Sequence, residues 1–129
     1  MGDESVMQIG EVASRTDLSL RSLRHWEDVG LLQPSGRSDG GFRLYTEADV
    51  DKILVIRRMK PLAFSLDEMK AVMADIETLA GPEVDPAVED AARERLHATR
   101  LDASERREKL VRQLAMADEF IDLIGARLR

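Results

Sequence analysis

Apolar residues Ile9, Val12 and Ala13 recur at the spacing of one helix face, the run Thr16-Asp17-Leu18-Ser19 breaks it, and Leu20, Leu23 and Trp26 resume it. Two short helices are predicted. Ser19 suits the N-cap of the second, and Asp17 tolerates the left-handed backbone that a tight connection between helices needs. The second helix stops near Gly30. Residues 33 to 41 form a polar, Gly-rich stretch leading into Phe42-Arg43-Leu44-Tyr45, which predicts a small hairpin wing. On a strand Phe42 and Leu44 point to one side and Arg43 and Tyr45 to the other, so one side packs and the other is free for contacts.

Thr46 with Asp49 resembles a capping box, with Asp in place of the usual Glu, and Val50, Ile53, Leu54 and Ile56 predict a third helix that must end near Pro61. Ser65 with Glu68 repeats the device. Leu66, Met69, Val72, Met73 and Ile76 then form a fourth amphipathic helix, closed by Gly81 and Pro82. From Asp85 no Gly or Pro interrupts the chain until Gly125, apart from Pro86 at the expected first turn, which predicts one helix of about forty residues. Its apolar residues Leu110, Leu114, Ala117, Ile121, Ile124 and Leu128 alternate four and three apart, as in a coiled-coil seam. Leu96 and Ala103 extend half of that seam, with Arg100 and Arg107 at the intervening positions. A second chain is the expected partner; the alternative is a surface helix folded back on its own domain.

Composition narrows the functional classes. A length of 129 residues with 43% apolar and 34% charged side chains fits one small domain plus an extended element and excludes a low-hydrophobicity disordered chain. Without cysteine there is no disulfide, thiolate metal site, iron-sulfur cluster or cysteine nucleophile. His25 and His97 stand far apart, so no catalytic dyad, triad or short-spaced metal cluster emerges, and no cofactor is expected. The start is short, polar and acidic, unlike a secretory signal, and no apolar run could span a bilayer, so a cytoplasmic protein with no membrane partner is expected.

The net charge of -6 argues at first against nucleic acid, but the acid excess is C-terminal: residues 1 to 60 hold 9 basic and 10 acidic side chains. Basic residues there gather as Arg21 and Arg24, Arg37 and Arg43, and Arg57, Arg58 and Lys60. A basic face can therefore form on an acidic protein.

Three motifs carry a family resemblance: Ile9-Gly10-Glu11-Val12-Ala13, the run from Leu20 through Glu27 followed by Val29-Gly30-Leu31-Leu32-Gln33-Pro34, and Gly41-Phe42-Arg43-Leu44-Tyr45. With Asp49-Val50, Ile56-Arg57-Arg58 and Phe64-Ser65-Leu66-Asp67-Glu68 in order, residues 7 to 79 resemble the MerR family of transcriptional regulators. The chain departs from the family at His25 and Trp26, where it usually has two tyrosines, and at Pro61 before the usual Gly-Phe-Ser or similar turn.

The resemblance implies a mainly all-α protein: a winged helix-turn-helix DNA-binding domain with a small β-hairpin wing over residues 7–80, then a dimerisation helix over 85–129 that pairs as an antiparallel coiled coil. Residues 1–6 would be a flexible tail. It implies a homodimer bound to an inverted-repeat promoter operator, regulating transcription by bending or untwisting double-stranded DNA, with RNA polymerase met at the promoter. The alternative is an architectural or adaptor DNA-binding protein without promoter-specific control. The second helix would enter the major groove with Arg21, Ser22, Arg24 and His25, and the wing would set Arg37, Arg43 and Tyr45, with Lys60 nearby, against the flanking backbone. Trp26 is expected in the core. With no thiolates and only four residues after Gly125, thiol-based sensing and a large C-terminal ligand domain are not expected, which leaves a small ligand in a dimer cleft, a protein partner, or no effector.

Overall fold

The computed structural model describes residues 6–82 and 85–129; residues 1–5, most of the expected tail, and residues 83–84 lie outside the described residues. The chain forms two units, the first ending at Ala74 and the second beginning at Asp75.

In the first unit, β1 (Met7–Gln8) leads into α1 (Ile9–Thr16) and α2 (Leu20–Asp28), then β2 (Gly36–Arg37), β3 (Arg43–Tyr45) and α3 (Glu47–Met59). The turn between α1 and α2 has the expected chemistry. Asp17 takes the left-handed conformation (φ 56°), and the Ser19 hydroxyl oxygen accepts from the Ser22 backbone N–H at 3.0 Å. At the start of α3, Thr46 and Asp49 complete the capping box: Thr46 Oγ1 accepts from Asp49 N at 3.3 Å and Asp49 Oδ2 from Thr46 N at 2.9 Å. Asp49 is buried, and Ser35 Oγ also donates to Oδ2 at 2.5 Å, tying the wing's entry to α3.

Pro61 has no N–H to continue α3, so the chain tightens into a 3-10 turn over Lys60–Leu62 and Ala63 goes left-handed (φ 61°). Ser65 and Glu68 then cap α4 (Leu66–Ala80) reciprocally: Ser65 N donates to Glu68 Oε1 at 2.8 Å and Glu68 N to Ser65 Oγ at 3.1 Å.

Hairpin strands β2 and β3 are joined by a strand the hydrophobic pattern did not announce. The sheet order is β1-β3-β2, all antiparallel, with Met7 opposite Tyr45 and Arg37 opposite Arg43. Val12, Leu23, Trp26, Tyr45, Ile53 and Ile56 form the core beneath it, so Trp26 is buried as expected. The side of β3 that packs carries Tyr45, which is 0% exposed, while Phe42 just before the strand is 61% exposed.

In the second unit, α5 runs from Pro86 to Arg127, 42 residues, with Asp85 as N-cap accepting from Ala87 N at 2.8 Å. Arg95 clasps Asp75 through Nε and Nη2, at 3.1 and 2.9 Å to Oδ1. The expected seam residues Leu110, Leu114, Ala117, Ile121, Ile124 and Leu128 are all exposed on the single chain. No described helix is long and apolar enough to cross a membrane.

Candidate nucleic-acid interface

Helix α2 is anchored by one face and free on the other. Leu23 and Trp26 are buried, and the same register leaves Arg21, Arg24 and His25 exposed. Ser22, expected to act with them, is half-buried, and Ser19 Oγ donates to its hydroxyl oxygen at 3.0 Å, so it helps to fix the turn as well as facing outward.

Beside α2 an open groove of about 460 Å³ runs to the end of α3. Leu18, Trp26 and Pro61 supply its apolar surfaces, and Arg21, His25, Arg57 and Lys60 line it with cationic or protonatable groups. The structure thus brings two of the three basic stretches of the sequence together. Of the residues expected for DNA contact on α2, Arg21, Ser22 and His25 line this groove with Lys60, and Arg24 is exposed outside its lining. Arg57 also lines it, and its Nη1 donates to the Thr16 carbonyl at 2.8 Å, capping the end of α1.

The third basic stretch, in the wing, is organised by a residue that sequence reasoning did not single out. Glu27, on the inward side of α2 four residues after Leu23, has a side chain only 12% exposed. Its Oε1 accepts from Arg43 Nε at 2.6 Å and its Oε2 from the Tyr45 hydroxyl at 3.1 Å, with Arg37 Nη2 3.9 Å from Oε1. Arg37 also donates through Nη1 to the Gly41 carbonyl at 3.2 Å, which holds it across the hairpin turn. The hydrogen bond to Glu27 raises the Arg43 pKa above its ordinary value. Burial, reinforced by the Glu27 charge and hydrogen bond, pushes the Tyr45 phenol up to about 12.

These contacts correct the expectation that Arg43 and Tyr45 together form the contact side of the wing. Tyr45 is core: its ring has no exposed surface and its hydroxyl is engaged inward, because that side of β3 faces α2. Arg43 lies between the two roles, its side chain 30% exposed. A clue to Glu27 was present in the sequence, since a carboxylate on the apolar stripe of an amphipathic helix requires a cation or donors from another element. Among the described residues no group of His, Cys, Asp and Glu is placed to hold a metal ion.

Residues 7–76 match the sequence model of the MerR HTH family regulatory protein. The chain is 43% identical over 67 residues to the HTH-type transcriptional regulator CueR of Vibrio cholerae, a match covering 52% of this chain and 48% of that protein. It is 38% identical over 88 residues to an uncharacterized HTH-type transcriptional regulator of Pseudomonas aeruginosa, covering 60% of this chain and 67% of the relative. In CueR the matched part is about half of the protein's length. Among solved structures, the chain resembles MtaN, the N-terminus of the Bacillus subtilis multidrug transporter activator, with 30% identity, a TM-score of 0.55 and coverage of 95% and 97% of the two chains.

Proposed function

Because the chain belongs to the MerR family of helix-turn-helix regulatory proteins, we propose that it is a transcription regulator acting on promoter DNA in the cytoplasm and not an enzyme. The observation that carries the reading is the basic surface around α2: exposed Arg21, Arg24 and His25, with Arg57 and Lys60 across the groove and Arg37 and Arg43 on the wing. An α-helix rigidly backed by Leu23 and Trp26 can enter a major groove, and flanking arginines meet the phosphates on either side. Site residues are proposed accordingly. Arg21, Arg24 and His25 face base edges or phosphates, with Ser22 beside them, and Arg37, Arg43, Arg57 and Lys60 take the backbone. Tyr45 holds the wing in place.

The homodimer reading is supported by α5, whose exposed row Leu110, Leu114, Ala117, Ile121, Ile124 and Leu128 has the period of a coiled-coil partner surface. Two copies on a two-fold axis would read inverted half-sites and distort the DNA between them, with RNA polymerase as the partner at the promoter. Selection of bound sequences from a random duplex pool tests this directly. Enrichment of an inverted repeat supports it, and retention of DNA without sequence preference would instead assign an architectural role.

A further inference from the structure

We infer that Glu27 is a positioning residue for DNA binding: it holds the Arg43 guanidinium by Nε and aims its remaining donors at a backbone phosphate. The inference rests on the DNA-binding reading above. Arg43 has five N–H donors in a fixed fork, and Glu27 engages the one on Nε, at 2.6 Å. The two Nη groups have no protein partner among the described residues, and the side chain retains 30% exposure, so the part of the fork suited to a phosphate is the part left open.

The geometry favours support over competition. Glu27 is 12% exposed, with Oε2 occupied by the Tyr45 hydroxyl and Arg37 3.9 Å from Oε1, so its charge is already spent on the wing. A carboxylate placed this way fixes the orientation of a cationic side chain whose rotamers would otherwise be lost on binding, as outer residues do for metal ligands. It also fixes the distance between α2 and the hairpin, because Arg43 and Tyr45 on one strand meet the same carboxylate on the helix. Binding depends on both elements reaching the duplex in register.

The test is a double-mutant cycle on the selected duplex, with affinity measured across a salt series for Glu27→Gln, Arg43→Ala and the pair. Glu27→Gln keeps the shape and removes a negative charge, so simple electrostatics predicts tighter binding. Positioning predicts the opposite: a loss on the order of tenfold. Arg43→Ala lowers the salt slope by about one, and the pair binds no worse than Arg43→Ala alone. In the free protein, the Arg43 Nε–Hε signal is downfield and slow to exchange in the wild type, and Glu27→Gln abolishes both features.

Equal or tighter binding by Glu27→Gln would overturn the positioning role while leaving DNA binding intact. So would a loss that adds fully to that of Arg43→Ala, which would mark Glu27 as a general structural residue. A wild-type chain that retains no duplex even at low salt would remove the DNA-binding reading itself, and the Arg43 signal would then report only a structural contact.

Discussion

Arg57 in the last turn of α3 donates from Nη1 to the carbonyl of Thr16 at the end of α1, 2.8 Å away and 41 residues earlier in the chain. One side chain therefore closes a helix end and lines the groove beside α2. Arg57→Met keeps the aliphatic stem and removes the donors, so a stability loss of about 1 kcal/mol is expected together with weaker, less salt-dependent DNA binding. Lys60→Met has no such cap to lose, and only binding falls. Thermal melts and salt titrations of the two variants separate the roles; equal melting temperatures for both would mean the cap contributes nothing.

Tyr45 is the single tyrosine of the chain, so its ionisation can be followed by absorbance near 295 nm without mutation. Its phenol is pushed up to about 12 by burial first and by Glu27 second. The raised folded value means that the associated stability is fully present below the ordinary value near 10 and is lost as pH rises toward 12. A reversible titration with midpoint near 10 in the folded protein would contradict the buried placement. In Glu27→Gln the midpoint moves down but stays above 10, because burial remains.

Ala63 holds φ at 61° after the 3-10 turn, a conformation in which its Cβ crowds the following carbonyl. Ala63→Gly is expected to raise stability by roughly 0.5–1 kcal/mol, the strain relieved outweighing the added freedom of the unfolded chain. Denaturant unfolding gives the answer; a lower midpoint would show that the turn is not strained.

The two faces of α2 respond differently to truncation. Trp26 is 5% exposed in the core, and Trp26→Ala is expected to cost on the order of 3 kcal/mol through the cavity it leaves. Arg21→Ala should melt like the wild type and bind the selected operator far more weakly. If Arg21→Ala matches wild-type affinity, α2 does not read DNA through this face.

Ile121 lies 65% exposed in the middle of the apolar row on α5. Ile121→Asp places a charge in the proposed seam, so sedimentation should show a monomer and affinity for an inverted repeat should collapse to that of one half-site. A wild-type chain that sediments as a monomer at micromolar concentration, or a variant that still pairs, would rule the seam out.

Elements with local signals were legible in the sequence: Ser19, Thr46 with Asp49, Ser65 with Glu68, and Asp85 each cap the helix that their position announced. Pro61 marked the end of α3 for the same reason, a missing N–H. Strand β1 left no trace because Met7 and Gln8 are too few residues to show a period, and only the pairing with β3 makes them a strand. At the interface, the cations on α2 were visible as a cluster, but alternation along β3 could not say which side faced α2. Tyr45 was therefore expected at the surface, when Glu27 draws that side inward. Arg57 was visible as one of a basic cluster, but its bond to Thr16 was not, since the partner is a backbone carbonyl, which no side-chain motif encodes.

Pairing Met7 with Tyr45 closes a long loop of chain that contains α1, α2 and the whole hairpin. Such a closure is made at an entropic cost and recovered only when the sheet and the core beneath it form together. Helices α1 and α2 are accordingly not a module that can be excised: a fragment spanning α1 and α2 alone lacks β3 and Tyr45, while loss of the first eight residues leaves β3 with an unpaired edge. The domain should fold in one cooperative step, with amide exchange at Tyr45 and Leu44 as slow as global unfolding and the outer strand β2 opening first.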